Sequence, residues 1–296
     1  MMYIEKGGID MDSNKQSNVS GSLRARRIVA YVVLAIISFL CLFWFYVLFI
    51  NATRSHAELG RGFAAVPSSH LIENMTNLFK GTLPVVRGML NSLVIASLTA
   101  ALCTYFSTMT AYSIHAYDYK GRKALFTFIL TIMMIPTQVT ALGFVKLVQR
   151  LHLEDNFIPL IVPAIAAPDT FFYLKRYMDS NLPHELLEAA RIDGAGEVRI
   201  FNTVALPLMR PAIAVQAIFT FVSSWNNYFT PSLILHKDKA KTLPILIAQL
   251  RAADWLKFDM GQVYAMIAFS IFPVIIVYLI LSKNIVGGVS AGAVKG

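Results

Sequence analysis

Pro183-His-Glu-Leu-Leu-Glu188-Ala-Ala-Arg-Ile-Asp-Gly194-Ala-Gly-Glu-Val-Arg-Ile-Phe-Asn-Thr-Val-Ala-Leu-Pro207 is a charged stretch set between apolar ones. It reads as two short helices joined at a glycine. Pro183 suits a helix start, because the N–H it lacks would be unpaired there anyway. Glu185 and Glu188 then lie near the positive end of the helix dipole. Gly194 follows a few turns on, and glycine enters the left-handed conformation that ends a helix without a Cβ clash. Val198, Phe201 and Ala205 recur at spacings of three and four, which predicts one face of a second helix. Pro207 and Pro211 stop that helix. The small Ala189 and Ala190 let another surface approach closely, while Leu186, Leu187, Ile192 and Phe201 offer it an apolar grip. Two readings stand side by side on residue chemistry alone. Either the stretch lies in a groove of a partner, or it only connects two membrane spans.

What flanks this stretch is overwhelmingly apolar. Of 296 residues, 56% are hydrophobic and 15% charged, where a soluble domain has about 25% charged. The chain is therefore counted in spans of ~20 residues. The formal charge of +9 does not point to nucleic acid, because no basic patch interleaved with aromatics occurs. The Lys and Arg sit between apolar segments, as membrane topology requires. Six spans are expected, at about 28–50, 90–117, 124–147, 157–178, 211–235 and 261–282. The polar stretch 183–207 separates the fourth from the fifth. A polar N-terminal tail, 1–27, and a small-residue C-terminal tail, 284–296, complete the chain, with the tail at 1–27 expected to lack structure.

The first run, Ile28 to Ile50, is longer than the ~7–15-residue core of a signal peptide and is read as a retained span. Lys6, Lys15, Arg24, Arg26 and Arg27 precede it, while only Arg54 and Arg61 follow closely, so the N-terminus is expected inside. Lys120, Arg122 and Lys123 form a second basic turn on that side. Six spans place both termini and residues 183–207 together. The third outer loop, with Lys237, Lys239, Lys241 and Arg251, weakens this bias without reversing it.

Several spans carry features beyond hydropathy. Ser92, Ala96, Ala100, Thr104 and Thr108 recur at every fourth position, and such a stripe permits close helix packing in lipid. Pro136 and Gln138 fall within the third span, and Pro159, Pro163 and Pro168 within the fourth. Freed backbone groups there must face protein or water. Asp169, a carboxylate within a span, is read either as pairing with a polar group on a neighbouring helix or as a substrate ligand. Ser223-Ser224-Trp225-Asn226-Asn227-Tyr228 is a polar knot in the fifth span. Its members line a translocation path, with an aromatic ring available to stack on a sugar, or they hydrogen-bond between helices.

Catalytic and metal chemistry has no footing. No phosphate loop of the Gly-x-x-x-x-Gly-Lys-Ser/Thr type occurs, so no nucleotide cofactor is expected on this chain. His184-Glu-Leu-Leu-Glu188 begins like a zinc-protease motif but has Glu where the second His must stand. Cys41 and Cys103 both lie in apolar spans, which leaves no disulfide framework or CxxC site. No catalytic residue and no metal ligand is assigned.

The polar stretch resembles the EAA loop of ABC-importer permeases. Glu188-Ala189-Ala190, three residues, Gly194, nine residues, then Val204, Ala205 and Leu206-Pro207 follow the family pattern, with Val204 replacing an Ile. Asn91-Ser92, Trp225-Asn226 with Pro231, Leu243-Pro244 and the ending Ala291-Gly-Ala-Val-Lys-Gly296 are similar to the MalG-like branch of carbohydrate importers. The resemblance implies an all-α, polytopic, type I ABC-importer permease with a cytoplasmic coupling helix, in the cytoplasmic or inner membrane of a prokaryote. It further implies a second homologous permease, an ATPase homodimer holding ATP and Mg, and an extracytoplasmic sugar-binding protein. Coupling to the ATPase would fall to Glu188, Ala189, Ala190, Gly194, Leu206 and Pro207. The path would draw on Asp169, Ser224, Trp225, Asn226, Asn227 and Tyr228, and the binding protein would touch Arg251, Asp254 and Trp255. The competing class is a self-contained secondary carrier for a small polar solute, which calls for internal repeats and several intramembrane ionisable groups. A membrane enzyme is a third class and lacks its acid–base set.

Overall fold

The computed structural model of the chain describes residues 9–252 and 259–293. All regular structure among them is helical. The long elements are α1 (Ile9–Ala52), α2 (Leu71–Lys80) and α3 (Val85–Ala116). Then come α4 (Arg122–Ile132), α5 (Thr137–Arg150) and α6 (Ile158–Asn181). The polar stretch supplies α7 (His184–Ile192) and α8 (Glu197–Leu208). The rest is α9 (Arg210–Trp225), α10 (Leu243–Arg251) and α11 (Met260–Ala293).

The central rod is α3, with α6 and α9 against it, α11 against α9, and α1 against α11. Ser92, Ala96, Ala100, Thr104 and Thr108 are all buried, so the stripe of small residues is the packing face of this rod. Outward, Ile28, Tyr31, Leu34, Phe39 and Trp44 of α1 and Phe272, Ile276 and Ile280 of α11 are exposed. Apolar side chains facing outward along whole helices suit lipid as the solvent.

Among the described residues, four helices are long and apolar enough to cross a membrane, and five spans result if α8 and the segment from Arg210 to Ser232, bent by 80°, count as one. The expected third span is not a continuous rod. It divides into α4 and α5 around Met133–Pro136, where Pro136 is extended (φ −62°, ψ 133°). Proline drives its predecessor out of the helical region, and its ring cannot continue the ladder. The fourth span is likewise built of Ile158–Ile161, a 3-10 turn at Val162–Ile165 and Pro168–Asn181. The segment expected to be an unstructured N-terminal tail departs from that reading over residues 9–27, which continue α1 as helix. Once the apolar span has formed a nucleus, each added residue gains a bond without a new nucleation cost.

At the end of the bundle away from α7, the segment after α1 forms a small cap. Ser55 and Glu58 close a reciprocal capping box around the short helix His56–Gly60. Buried Arg54 donates to Gly62 O (2.8 Å), and buried Asn74 donates through Nδ2 to Ala52 O (3.0 Å) and Arg54 O (2.9 Å). The start of α11 presses on this cap so closely that a Cβ on Gly261 would stand 2.8 Å from Arg54 O.

Candidate functional site: an elbowed helix pair and a cavity at the opposite end

Leu187 and Ile200 are the fully buried anchors of α7 and α8. They enter one apolar cluster with Ala111, Tyr112 and Ile114 of α3, Leu174 and Met178 of α6, and Met209 beyond the bend. The opposite side of the pair faces outward: Glu188 and Ala189 are exposed, and Ala190 is half-buried. Ile192 is 86% and Val198 78% exposed. The sequence places Val198 on one helix face with Phe201 and Ala205, but Val198 stays outside the core that those two enter. The buried line instead runs through Ile200, Phe201, Ala205 and Met209, because the side that meets α3 and α7 is the one carrying Ile200.

The elbow is a glycine cap. Gly194 has φ +78°. Its N–H donates to Arg191 O (3.0 Å), and the Ala195 N–H donates to Ala190 O (3.0 Å). These are the paired bonds of a Schellman ending, which needs a left-handed residue at the position of Gly194. Space around that glycine is open, so the requirement comes from the backbone and not from crowding.

A side-chain staple crosses the elbow. Arg191 Nε donates to Glu197 Oε1 at 2.8 Å, and Tyr112 donates its hydroxyl to Glu197 Oε2 at 3.0 Å. The Arg191 guanidinium also lies over the Tyr117 ring at 5.5 Å. The hydrogen bond from Arg191 holds the Glu197 carboxyl below its ordinary range, with Tyr117 adding to the effect. A second tie sits at the root of α7. His115 Nδ1 is 3.0 Å from Asp179 Oδ1, its Nε2 is 2.9 Å from Leu182 O, and its ring stacks on His184 at 4.4 Å.

Within α8, Phe201–Ala205 is a π turn in which the Leu206 N–H reaches Phe201 O. The wider turn precedes Pro207, which has no N–H to return to the ladder. The chain then bends by 80° into α9, so Pro207 marks a corner where the sequence suggested only a stop. Leu206 and Pro207 border a cavity of about 310 Å³ with Tyr105, Asn202 and Arg210.

The structure does not bring the expected path residues together as one set. Ser224 and Asn227 line a cavity of about 420 Å³ near the opposite end of the bundle, together with Ser92, Thr140, Thr230 and Thr242. Trp225 is buried and stacks on Phe221 (5.8 Å between centroids), so it belongs to the core. Asn226 and Tyr228 are exposed and stand outside the cavity lining. Asp169 is exposed in the first turn after Pro168. No hydrogen bond or ion pair to it occurs among the described residues; the helix N-terminus supplies its favourable field. Arg251 ends α10 and is exposed, whereas Asp254 and Trp255 lie outside the described residues. Sequence reasoning missed the Arg191–Glu197–Tyr112 staple and the contribution of Thr242. Among the described residues, no group of three or more His, Cys, Asp or Glu is placed to hold a metal ion.

A bundle of lipid-facing helices that presents one locked, polar elbow at its end defines a multi-pass membrane protein. Residues 105–290 match the family described as "Binding-protein-dependent transport system inner membrane component", and the chain belongs to that family. It is 35% identical over 276 residues to the arabinooligosaccharides transport system permease protein AraQ of Bacillus subtilis (strain 168), covering 91% of this chain and 96% of that one. It is 29% identical to the trehalose/maltose transport system permease protein MalG of Thermococcus litoralis, covering 92% and 98%. Among solved structures, the fold matches a chain of a bacterial ABC transporter involved in the import of the acidic polysaccharide alginate. That match has a TM-score of 0.75 at 23% identity, over 88% of this chain and 97% of that one.

Proposed function

We propose that this chain is the permease subunit of an ATP-driven importer for an oligosaccharide, forming half of a path completed by a second, homologous permease. The observation that carries the reading is the elbow. Its inner side is fixed to α3 and α6 by Leu187, Ile200 and the Arg191–Glu197 staple, while its outer side offers Glu188, Ala189, Ile192 and Gly194. An ATPase homodimer gripping that outer side moves a body already joined to the rods. The ATP and Mg belong to those partners, and this chain hydrolyses nothing.

The mechanism follows from the connections. A push on α7 cannot be absorbed locally, because packed cores shift between discrete arrangements instead of deforming continuously. It therefore tilts α3 and α6 directly, and α9 through the corner at Pro207. In this reading the membrane is crossed six times, the broken α4–α5 pair making the third crossing. Phe128, Met134, Val139 and Leu142 of that pair present exposed apolar surface. Both termini and the elbow face the cytoplasm, in keeping with Arg24, Arg26 and Arg27 before the first crossing. An extracytoplasmic sugar-binding protein docks at the opposite end, at exposed Arg251, with Asp254 and Trp255 as further proposed contacts. The identity of relatives such as AraQ supports an oligosaccharide as cargo.

The test is reconstitution with the partner permease, the ATPase and the binding protein. ATP-dependent uptake that vanishes in Gly194→Asp, with this chain still inserted and folded, is the expected result. Full uptake by that variant, or uptake by this chain alone without ATP, would remove the basis for the proposal.

A further inference from the structure

The cavity of about 420 Å³ lies within the range of ligand sites, ~300–1,000 Å³. Its wall is peculiar in one respect. Every polar side chain that lines it is a hydroxyl or an amide, and none is ionisable. Thr242 stands at the N-cap of α10 with extended dihedrals (φ −88°, ψ 164°), yet its hydroxyl makes no capping bond. Threonine at that position ordinarily accepts from the first turn. Here its Oγ1 is buried and has no hydrogen-bond partner among the described residues. A buried polar group left so demands an explanation. Asn227 uses only its Oδ1, accepting from the Thr230 N–H at 3.3 Å, which leaves its Nδ2 group uncommitted among the bonds described. Ser92 accepts from the Leu243 N–H at 2.8 Å and keeps its own O–H to donate.

We infer that this cavity is a binding site, supplied by this chain itself, for an uncharged, hydroxyl-rich segment of the cargo. Thr242, Asn227 and Ser92 meet its hydroxyl groups, and the face of a sugar ring lies against Phe144, Phe229 or Pro159. An anionic segment is excluded by the same wall. A carboxylate or phosphate entering it leaves water and finds no cation, which is costly. Two lysines of the loop leading to Thr242 are already committed: Lys237 pairs with Asp155 (3.6 Å) and Lys241 with Asp238 (2.6 Å). The inference rests on the importer reading and specifies its cargo as a neutral saccharide.

The complete transporter in proteoliposomes, with its binding protein, decides the matter using neutral pentose and hexose oligosaccharides, a uronate oligosaccharide and sn-glycerol 3-phosphate as probes. Wild type takes up a neutral oligosaccharide in preference to both anions. Thr242→Val keeps the side-chain shape and removes the hydroxyl. It lowers uptake of the neutral cargo about tenfold, the ratio expected for one lost hydrogen bond, while ATP hydrolysis stimulated by the loaded binding protein persists. Thr242→Ser restores uptake. Asn227→Leu repeats the loss independently should Thr242→Val fail to fold. Wild-type uptake in both Thr242→Val and Asn227→Leu overturns the site, as does preference of the intact transporter for either anion. Absence of any ATP-driven uptake by the wild-type assembly is a different failure, because it overturns the importer reading itself.

Discussion

Gly194 is a single residue on which a whole ending depends. Its φ of +78° costs any residue with a Cβ ~1–2 kcal/mol, although the surroundings are empty. Gly194→Ala should therefore lower thermal stability only by that strain and weaken ATPase co-purification, whereas Gly194→Asn, which tolerates the left-handed region, should fall between it and wild type. Equal behaviour of Ala, Asn and Gly at this position would show that the elbow is not held by its dihedral. Glu197 supports a pH statement. Its carboxyl is held below 4.5 by Arg191, so the staple's contribution is fully present above that value and is lost as pH falls through the lowered one. The pair is partly exposed, which limits the effect to below ~1 kcal/mol. Comparing Glu197→Gln with wild type should show a stability difference at neutral pH that closes under acid; a gap that stays constant would assign the difference to packing. Gly194 was legible because only a few residue types end a helix in that way. The staple was not, since Arg191 and Glu197 are six residues apart and meet only because the elbow folds them together. Helical spacing at three or four gives no hint of that pairing.

At the scale of elements, α7 has two sides with different consequences. Leu187 is fully buried, and Leu187→Ala should cost ~2–5 kcal/mol as read by thermal unfolding in detergent. Ile192 is 86% exposed, and Ile192→Ser should leave unfolding unchanged while reducing capture of the ATPase. If the two substitutions gave the same profile, the division into an anchored and an offered side would be wrong. The tight crossing of α11 and the cap after α1 gives another test. Because the atoms facing Gly261 include the Arg54 carbonyl oxygen, Gly261→Ala has no side chain to push aside completely and should destabilise by ~1–3 kcal/mol. Apolar runs such as Ile28–Ile50 made α1, α3 and α11 readable without coordinates. The third span was harder, because a hydropathy window averages across Pro136, where α4 ends and α5 begins. Trp225 misled for a related reason. Its neighbours in sequence are polar, yet its place on the helix turns it inward onto Phe221.

For the whole molecule, the two ends separate cleanly into a locked elbow and a hollow lined by hydroxyls. Cysteine introduced at Ile192 and at Ser69, an exposed residue of the cap after α1, in a chain without Cys41 and Cys103, should react with an impermeant reagent from opposite sides of sealed vesicles. Labelling of both from one side would require a different topology. The hollow was only half visible in the sequence: Ser224 and Asn227 stood out within the polar knot, but Thr242 lies far along the chain and joins them only through the packing of α10 against α3.

The π turn at Phe201–Ala205 sets the phase of everything after it. One surplus residue is already stored there, and each further residue would turn a helix by about 100°. Deleting one residue would let the turn close to an ordinary helical one with its flanks in register, but adding one beside it cannot be absorbed. The elbow, the corner and every apolar surface would be nominally present, yet α9 would be dialled round by more than a quarter revolution, carrying Ser224 and Asn227 off the hollow. In the importer reading, such a lengthened chain should still seat an ATPase and still trigger hydrolysis, spending nucleotide on an engine with nothing in its grasp.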